Sequence, residues 1–319
     1  MTVLRASSAE PPPPHAPEVG WPARLLGPFR ITGVFWYRFH EWGVRILPER
    51  GKRVLVYLFS FCFSFILRNI GAAVGGNLEA VLGPTGRRER HRRVFRTLHT
   101  FAWCLTERYE RLSTDCRVEV EIDDRPVWEE ACAAGTGVVL ITGHVGNWEV
   151  GSMRPGEAGG PPIHVVREEE MDPRAQEFVG RLLAERMGAG YTTHFAAGNP
   201  LLGMALCEAL RRGEMVALQG DRPRRQGKRL TLTLFGRPFE VPAGPMALAR
   251  RAEVPLLPVF VLREGRLRYR VAFHPPIAVP RTTNRNADLE AAGRRFLAVL
   301  EETIRRHPHQ WFCFRRLWP

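Results

Sequence analysis

Residues 137–150 read GVVLITGHVGNWEV. The first six form a run of small, apolar and β-branched residues, short enough for a strand and of the kind buried on both faces of a sheet. The run stops at Gly143-His144, and Gly146, Asn147, Trp148 and Glu149 then open what reads as a helix over 146–153. In open α/β sheets the chemically active groups collect where strands end at the carboxyl edge, and His144 falls there. On one continuous helix His144 and Glu149, five positions apart, would diverge by about 140°. They converge only if the chain turns between them, and Gly143 and Gly146 supply the backbone freedom for such a turn. A carboxylate bonded to one ring nitrogen fixes the tautomer and leaves the other nitrogen to take a proton. The expected pairing is therefore His144 as general base with Glu149 as its partner. The competing reading is a histidine that only caps a strand-to-helix junction.

Outward from this stretch, short apolar runs alternate with helical patterns. Strands are expected over 118–122, 137–142, 163–167, 191–195, 215–219, 230–235, 256–262 and 267–273. Helices are expected over 125–134, 146–153, 173–189, 200–212, 244–252 and 287–306. That alternation predicts an α/β fold, with a mixed, mainly parallel central sheet flanked by helices. The α/β domain is placed at 76–319.

Upstream, residues 1–22 carry the proline run Pro11 to Pro14 and few apolar residues, and read as a disordered tail without the basic start and apolar run of a cleavable signal. Residues 23–75 read as a membrane-associating helical region. Ile31, Val34, Phe35, Phe39, Trp42 and Ile46 recur at helical spacing, with Arg30, Arg38, Glu41 and Arg45 opposite. The run VLVYLFSFCFSFIL over 54–67 would make a helix about 21 Å long, short of the ~30 Å hydrocarbon core of a bilayer. A half-inserted anchor, a core helix and a span remain open for it. Residues 87–112 read as a long basic helix, its charged side either solvated or facing phospholipid.

The chain of 319 residues carries 46 Lys and Arg against 33 Asp and Glu, a net charge of +13 that points to an anionic partner. Nucleic acid is disfavoured, because no basic, aromatic-studded sheet surface is evident. The six cysteines are scattered without a CxxC pair, so reduced thiols are expected and no metal site. No GxSxG elbow and no HExxH motif occurs, which removes support for serine- or zinc-dependent hydrolysis.

GHVGNWE resembles the His-x4-Asp/Glu motif of the lysophospholipid acyltransferase superfamily, in its bacterial lipid A late acyltransferase branch. The resemblance runs in order over residues 76–318: Gly76-Asn77-Leu78, ERYERL over 107–112, Arg167 closing a strand, Arg181 in VGRLL, Asp221 in LQGDRP, the segment from Phe235-Gly236 through Pro242 and Gly244 to Leu248-Ala249, and HPHQWFCFRR over 307–316. It departs from the family at Arg222, where glutamine is usual, and at Cys313-Phe314. These departures leave the acceptor open.

What the resemblance implies is transfer of a fatty acyl group from an acyl carrier protein or coenzyme A thioester to a hydroxyl of a membrane lipid. No cofactor or metal is implied, and the place implied is the cytoplasmic face of the bacterial inner membrane. Beside His144 and Glu149, Gly143, Asn147, Arg167, Arg181, Asp221 and Arg222 are expected at the substrate. Arg181 would hold phosphate or the thioester oxyanion, and Asp221 would either orient His144 or bind acceptor. The basic loop with Arg222, Arg224, Arg225, Lys228 and Arg229 would either be a solvated turn or dock the acidic carrier. A non-catalytic lipid-binding protein of the same fold, and a lipid thioesterase or hydrolase using the same base on water, are the alternatives.

Overall fold

The computed structural model describes residues 34–152, 160–170, 172–186, 190–195, 199, 201–223 and 227–318. The tail over 1–22, the start of the first amphipathic helix and the loop residues Arg224 and Arg225 lie outside that set. Among the described residues four helices come first: α1 (Val34–Ile46), α2 (Glu49–Ile66), α3 (Arg68–Leu82) and α4 (Arg87–Ser113). Then follow β1 (Glu119–Asp123), α5 (Arg125–Ala133), β2 (Val138–Thr142), α6 (Trp148–Ser152), β3 (Ile163–Arg167), α7 (Pro173–Arg186), β4 (Tyr191–Phe195), α8 (Leu202–Arg211) and β5 (Met215–Gln219). The chain continues through the hairpin β6 (Arg229–Leu234) and β7 (Arg237–Pro242) to α9 (Gly244–Ala252), β8 (Leu256–Gly265), β9 (Arg268–Phe273), α10 (Arg285–Arg306) and a 3-10 turn at Pro308–Gln310.

Seven strands form one sheet in the order β1-β9-β8-β2-β5-β3-β4, and only the β8–β9 pair is antiparallel. The mixed, mainly parallel sheet flanked by helices is thus the architecture that the alternation of runs predicted. All five residues of β2 are buried. Val139 and Ile141 enter a core completed by α8, α9, α10 and the C-terminal segment, while Val138 and Leu140 enter a second core beneath α5. Each such side chain, removed from water, contributes about 1.5–3 kcal/mol before the entropy of ordering is counted.

Differences from the expected elements are local. The strand expected over 230–235 is one arm of the β6–β7 hairpin, turning at Phe235 (φ 52°) and Gly236 (φ 72°). Two successive positive φ angles make a type I′ turn, normally signalled by Asn-Gly rather than Phe-Gly, and β7 had no other signal. The division expected between residues 75 and 76 falls inside α3. Asn77, in the second half of that helix, donates to the carbonyls of Cys313 (3.1 Å) and Arg315 (2.8 Å), tying α3 to the end of the chain.

The run over 54–67 falls on α2 and its C-cap Leu67, and its amphipathy is inverted. Val56, Ser60 and Ser64 face inward, with Ser60 meeting His99 of α4 at 3.2 Å, whereas Val54, Tyr57, Leu58, Phe61, Phe65 and Ile66 are exposed. Most of its large apolar side chains are therefore outside the core. Among the described residues no single helix is long and apolar enough to cross a membrane; α2 and α3, bent by 92° to one another, meet that test only together. α1 adds Phe35, Trp42 and Ile46 to the exposed apolar residues. It is tied to the segment after β3 by Tyr37 Oη donating to Glu170 (2.6 Å) and the Val34 amide donating to Asp172 (3.0 Å).

Candidate active site

The site follows from the register of two neighbouring strands. Thr142, the last residue of β2, lies opposite Gln219, the last of β5, and the Gly220 amide donates to the Thr142 carbonyl at 2.8 Å. Two residues further along each chain come His144 and Asp221. Asp221 Oδ1 lies 2.7 Å from His144 Nδ1, and its Oδ2 accepts from the His144 amide at 2.9 Å. One buried carboxylate thus holds the ring and the main chain of the same residue. An ionised carboxylate only accepts, so the proton resides on Nδ1 and Nε2 is the nitrogen left to bind another. Burial works to raise the Asp221 carboxyl, but the charge and hydrogen bonds of His144 outweigh it and hold the group below its ordinary value of 3.8. The His144 side chain is 22% exposed against 3% for Asp221, so the ring reaches the surface while its partner does not.

Where the sequence reading gave the alignment of the imidazole to Glu149, the hydrogen bond at Nδ1 comes from Asp221. Glu149, in the first turn of α6, instead sits between two buried guanidinium groups. Arg108 Nε of α4 lies 2.6 Å from its Oε2, and Arg167 Nη2, at the end of β3, donates to its Oε1. Burial pushes the Glu149 carboxyl up, yet Arg108 and Arg167 more than offset this, with a further contribution from His144, and its pKa falls below 4.5. Glu149 is therefore the counter-charge of two guanidinium groups before anything else. Arg167 also lies over the Trp148 ring at 5.3 Å, a cation–π contact with the first residue of α6.

The remaining expected residues divide. Gly143 packs where a side chain would not fit: an added Cβ would come within 2.9 Å of Leu300 Cδ1 and 3.3 Å of Asp221 Cγ. Asn147 was expected at the substrate but is turned into the core. Its Nδ2 donates to the Cys104 carbonyl (2.9 Å) and Tyr269 Oη (3.0 Å), and its amide to the Val261 carbonyl (2.7 Å). Its side chain and its main chain are thus both consumed in fixing the loop. Arg222 Nη2 donates to the Phe312 carbonyl (3.1 Å), beside Asp221.

Arg181 is the residue that the structure does not bring to the cluster. Its side chain is 63% exposed, lies over Phe178 and sits 4.0 Å from Glu185, contacts that all belong to α7 itself. Among the described residues no group of His, Cys, Asp and Glu is arranged to hold a metal.

Sequence reasoning missed Arg108 and the support behind it. Glu107 is fully buried on α4, where it accepts from Arg263 Nε (3.0 Å) and Nη2 (2.8 Å) and from the Tyr269 hydroxyl. The signal was present in ERYERL over 107–112. Glu107, Arg108, Tyr109 and Glu110 are all buried, too many charges for one helix to bury unless it is woven into a polar network.

The sequence profile of a family described as bacterial lipid A biosynthesis acyltransferase matches residues 24–319. Two curated relatives, each described as phosphatidylinositol mannoside acyltransferase, come from Mycobacterium tuberculosis: that of strain CDC 1551 / Oshkosh is 27% identical over 191 residues and that of strain ATCC 25618 / H37Rv is 26% identical over 191. In both cases the match covers 60% of this chain and 57% of the relative, so the chain spans little more than half of their length. Among solved structures, the 1-acyl-sn-glycerophosphate acyltransferase PlsC from Thermotoga maritima aligns over 78% of this chain and 95% of its own, with 14% identity and a TM-score of 0.36.

Proposed function

This chain belongs to the bacterial lipid A biosynthesis acyltransferase family, and from that premise we propose that it moves a fatty acyl group from an acyl carrier protein or coenzyme A thioester to a hydroxyl of a membrane lipid. The observation that carries the proposal is the His144–Asp221 pair at the carboxyl edge of β2 and β5, with Nδ1 occupied and the ring partly exposed. In this reading Nε2 removes the proton from the acceptor hydroxyl as its oxygen attacks the thioester carbonyl. The tetrahedral intermediate then collapses, the carbon–sulfur bond breaks, and the departing thiolate takes the proton back from the imidazolium. Asp221 stabilises that imidazolium and Glu149 adds a second negative charge nearby. A positioned base of this kind contributes about 10²–10⁴-fold to the rate.

The acceptor class proposed is a glycolipid, on the strength of the names of the mycobacterial relatives. The place proposed is the cytoplasmic face of the inner membrane, in peripheral or monotopic contact with an anionic lipid surface. Support for it comes from the outward aromatic face of α2 and the exposed Phe35, Trp42 and Ile46 of α1. Comparative lipid mass spectrometry of cells with and without the protein tests the function. The expected result is loss of one glycolipid species heavier than its precursor by one acyl group. An unchanged lipid profile, or release of free fatty acid without acylated lipid by the purified protein, would reject transfer; the latter would favour a hydrolase.

A further inference from the structure

β2 pairs with β8 only from Val139 to Ile141, opposite Leu256 to Pro258. β8 continues to Gly265, held on its other side by β9, so its far half has an edge that β2 does not cover. An open strand edge presents unpaired amide and carbonyl groups that need partners. Two devices supply them. The Asn147 amide donates to the Val261 carbonyl at 2.7 Å, so the loop after His144 extends the ladder. At Arg263 the side-chain amide of Gln310 takes over: the Arg263 amide donates to its Oε1 (2.8 Å) and its Nε2 donates to the Arg263 carbonyl (2.9 Å). A primary amide carries the same donor and acceptor as a peptide group, so glutamine stands in for a strand residue here.

The main chain beside Gln310 then holds the His144 loop from both sides. The Gly146 amide donates to the Gln310 carbonyl (2.9 Å), and the Phe312 amide donates to the His144 carbonyl (2.8 Å), with Val145 and Trp311 bridged between them. Arg222, next to Asp221, donates to the Phe312 carbonyl. One short segment thus touches the main chain of His144 and the neighbour of its carboxylate. Beyond it Asn77 donates to the carbonyls of Cys313 and Arg315 and accepts from the Leu317 amide (3.2 Å), closing the far end of the strap.

We propose that Gln310 is a positioning residue for acyl transfer: its side-chain amide pins the C-terminal segment to the open edge of β8, and that segment sets the main chain on which His144 is carried. This rests on His144 being the general base. Gln310 touches the ring only through the backbone, so its loss displaces the base without emptying a substrate site. Displacements near 1 Å at a reacting group cost on the order of 10²-fold in rate.

The test uses the full chain in anionic vesicles with an acyl thioester and a glycolipid acceptor, comparing wild type, His144→Ala and Gln310→Met. In Gln310→Met kcat falls on the order of 10²-fold while KM for the thioester changes less than about twofold. Hydrogen exchange at the Gly146 and Phe312 amides quickens about tenfold or more, and the β2 amides keep their protection. Wild-type kcat in Gln310→Met beside an inactive His144→Ala would overturn the strap while leaving the base intact. Retained activity in His144→Ala would instead overturn the reading of the base. If wild type transfers nothing, exchange alone decides, and unchanged exchange at Gly146 and Phe312 rejects the proposal.

Should Gln310→Met fail to fold, Gln310→Glu takes its place. It preserves shape and the acceptor but sets a carboxylate oxygen against the Arg263 carbonyl. Its kcat relative to wild type should therefore be low at neutral pH and recover as the carboxyl gains a proton. A ratio flat with pH would contradict the role.

Discussion

At the residue scale the site separates two carboxylates by task. Asp221 bonds the ring, and Glu149 is clamped by Arg108 and Arg167. Asp221→Asn should therefore act on turnover: the amide can present an N–H to Nδ1 and favour the wrong tautomer, so kcat should fall by roughly 10²–10⁴-fold with the fold retained. Steady-state kinetics beside a thermal melt would check it, and near-normal kcat would remove Asp221 from the mechanism. Glu149→Gln should act first on stability, because it leaves two buried guanidinium groups short of a counter-charge; breaking such an arrangement costs about 3–5 kcal/mol. Urea unfolding measures this, and a variant as stable as wild type would show that the clamp is not needed. His144 was legible in the sequence because glycines on either side and a buried strand before it set it apart. Its partner was legible only as one of two roles open to Asp221, beside the expected pairing with Glu149, since His144 and Asp221 are 77 positions apart and meet only because β2 and β5 are neighbours in register.

At the element scale the strands were readable where apolar runs were compact. Ile163–Arg167, Tyr191–Phe195 and Met215–Gln219 fall on the residues that their patterns marked. The β6–β7 turn was hidden because Phe235 adopts a conformation usually left to asparagine or glycine. α2 was ambiguous for a different reason: periodicity reports that a helix has two faces, not which of them turns inward. The turn after His144 is the least tolerant joint. Gly146 has φ 69°, and an added Cβ would stand 2.0 Å from the Val261 carbonyl oxygen. Gly146→Ala is thus expected to cost more than about 2 kcal/mol and to lower activity with it. Chemical denaturation would reveal this, and a loss below ~0.5 kcal/mol would mean that the loop is far softer than its contacts suggest.

At the scale of the whole molecule, charge and apolar surface act together. Substituting Tyr57 and Phe61 by aspartate removes two exposed aromatic residues of α2, each contributing roughly 1.5–3 kcal/mol if buried in lipid. Flotation with anionic vesicles should weaken on the order of 10²-fold, and unaltered flotation would place the membrane contact elsewhere. Acid should unfold the protein in two stages. Burial lowers His40, His99 and His309 from 6.5, so the stability that depends on their neutrality is complete above that pH and is lost as pH falls through their folded values. Glu149 and Asp221 lie below 4.5 and 3.8, and their contribution is lost only below those values. Unfolding free energy measured against pH should be level from about 6.5 to about 8 and fall in both acid windows; Glu149→Gln should flatten the lower one, and an identical slope in that variant would contradict the assignment.

The most direct measurement is a single-turnover assay of labelled acyl thioester with lipid acceptor in vesicles, comparing wild type with His144→Ala. Loss of transfer by at least about 10²-fold, with the melting curve and vesicle binding unchanged, is the result that general-base transfer by His144 requires. Transfer at the wild-type rate by the folded His144→Ala protein would contradict it.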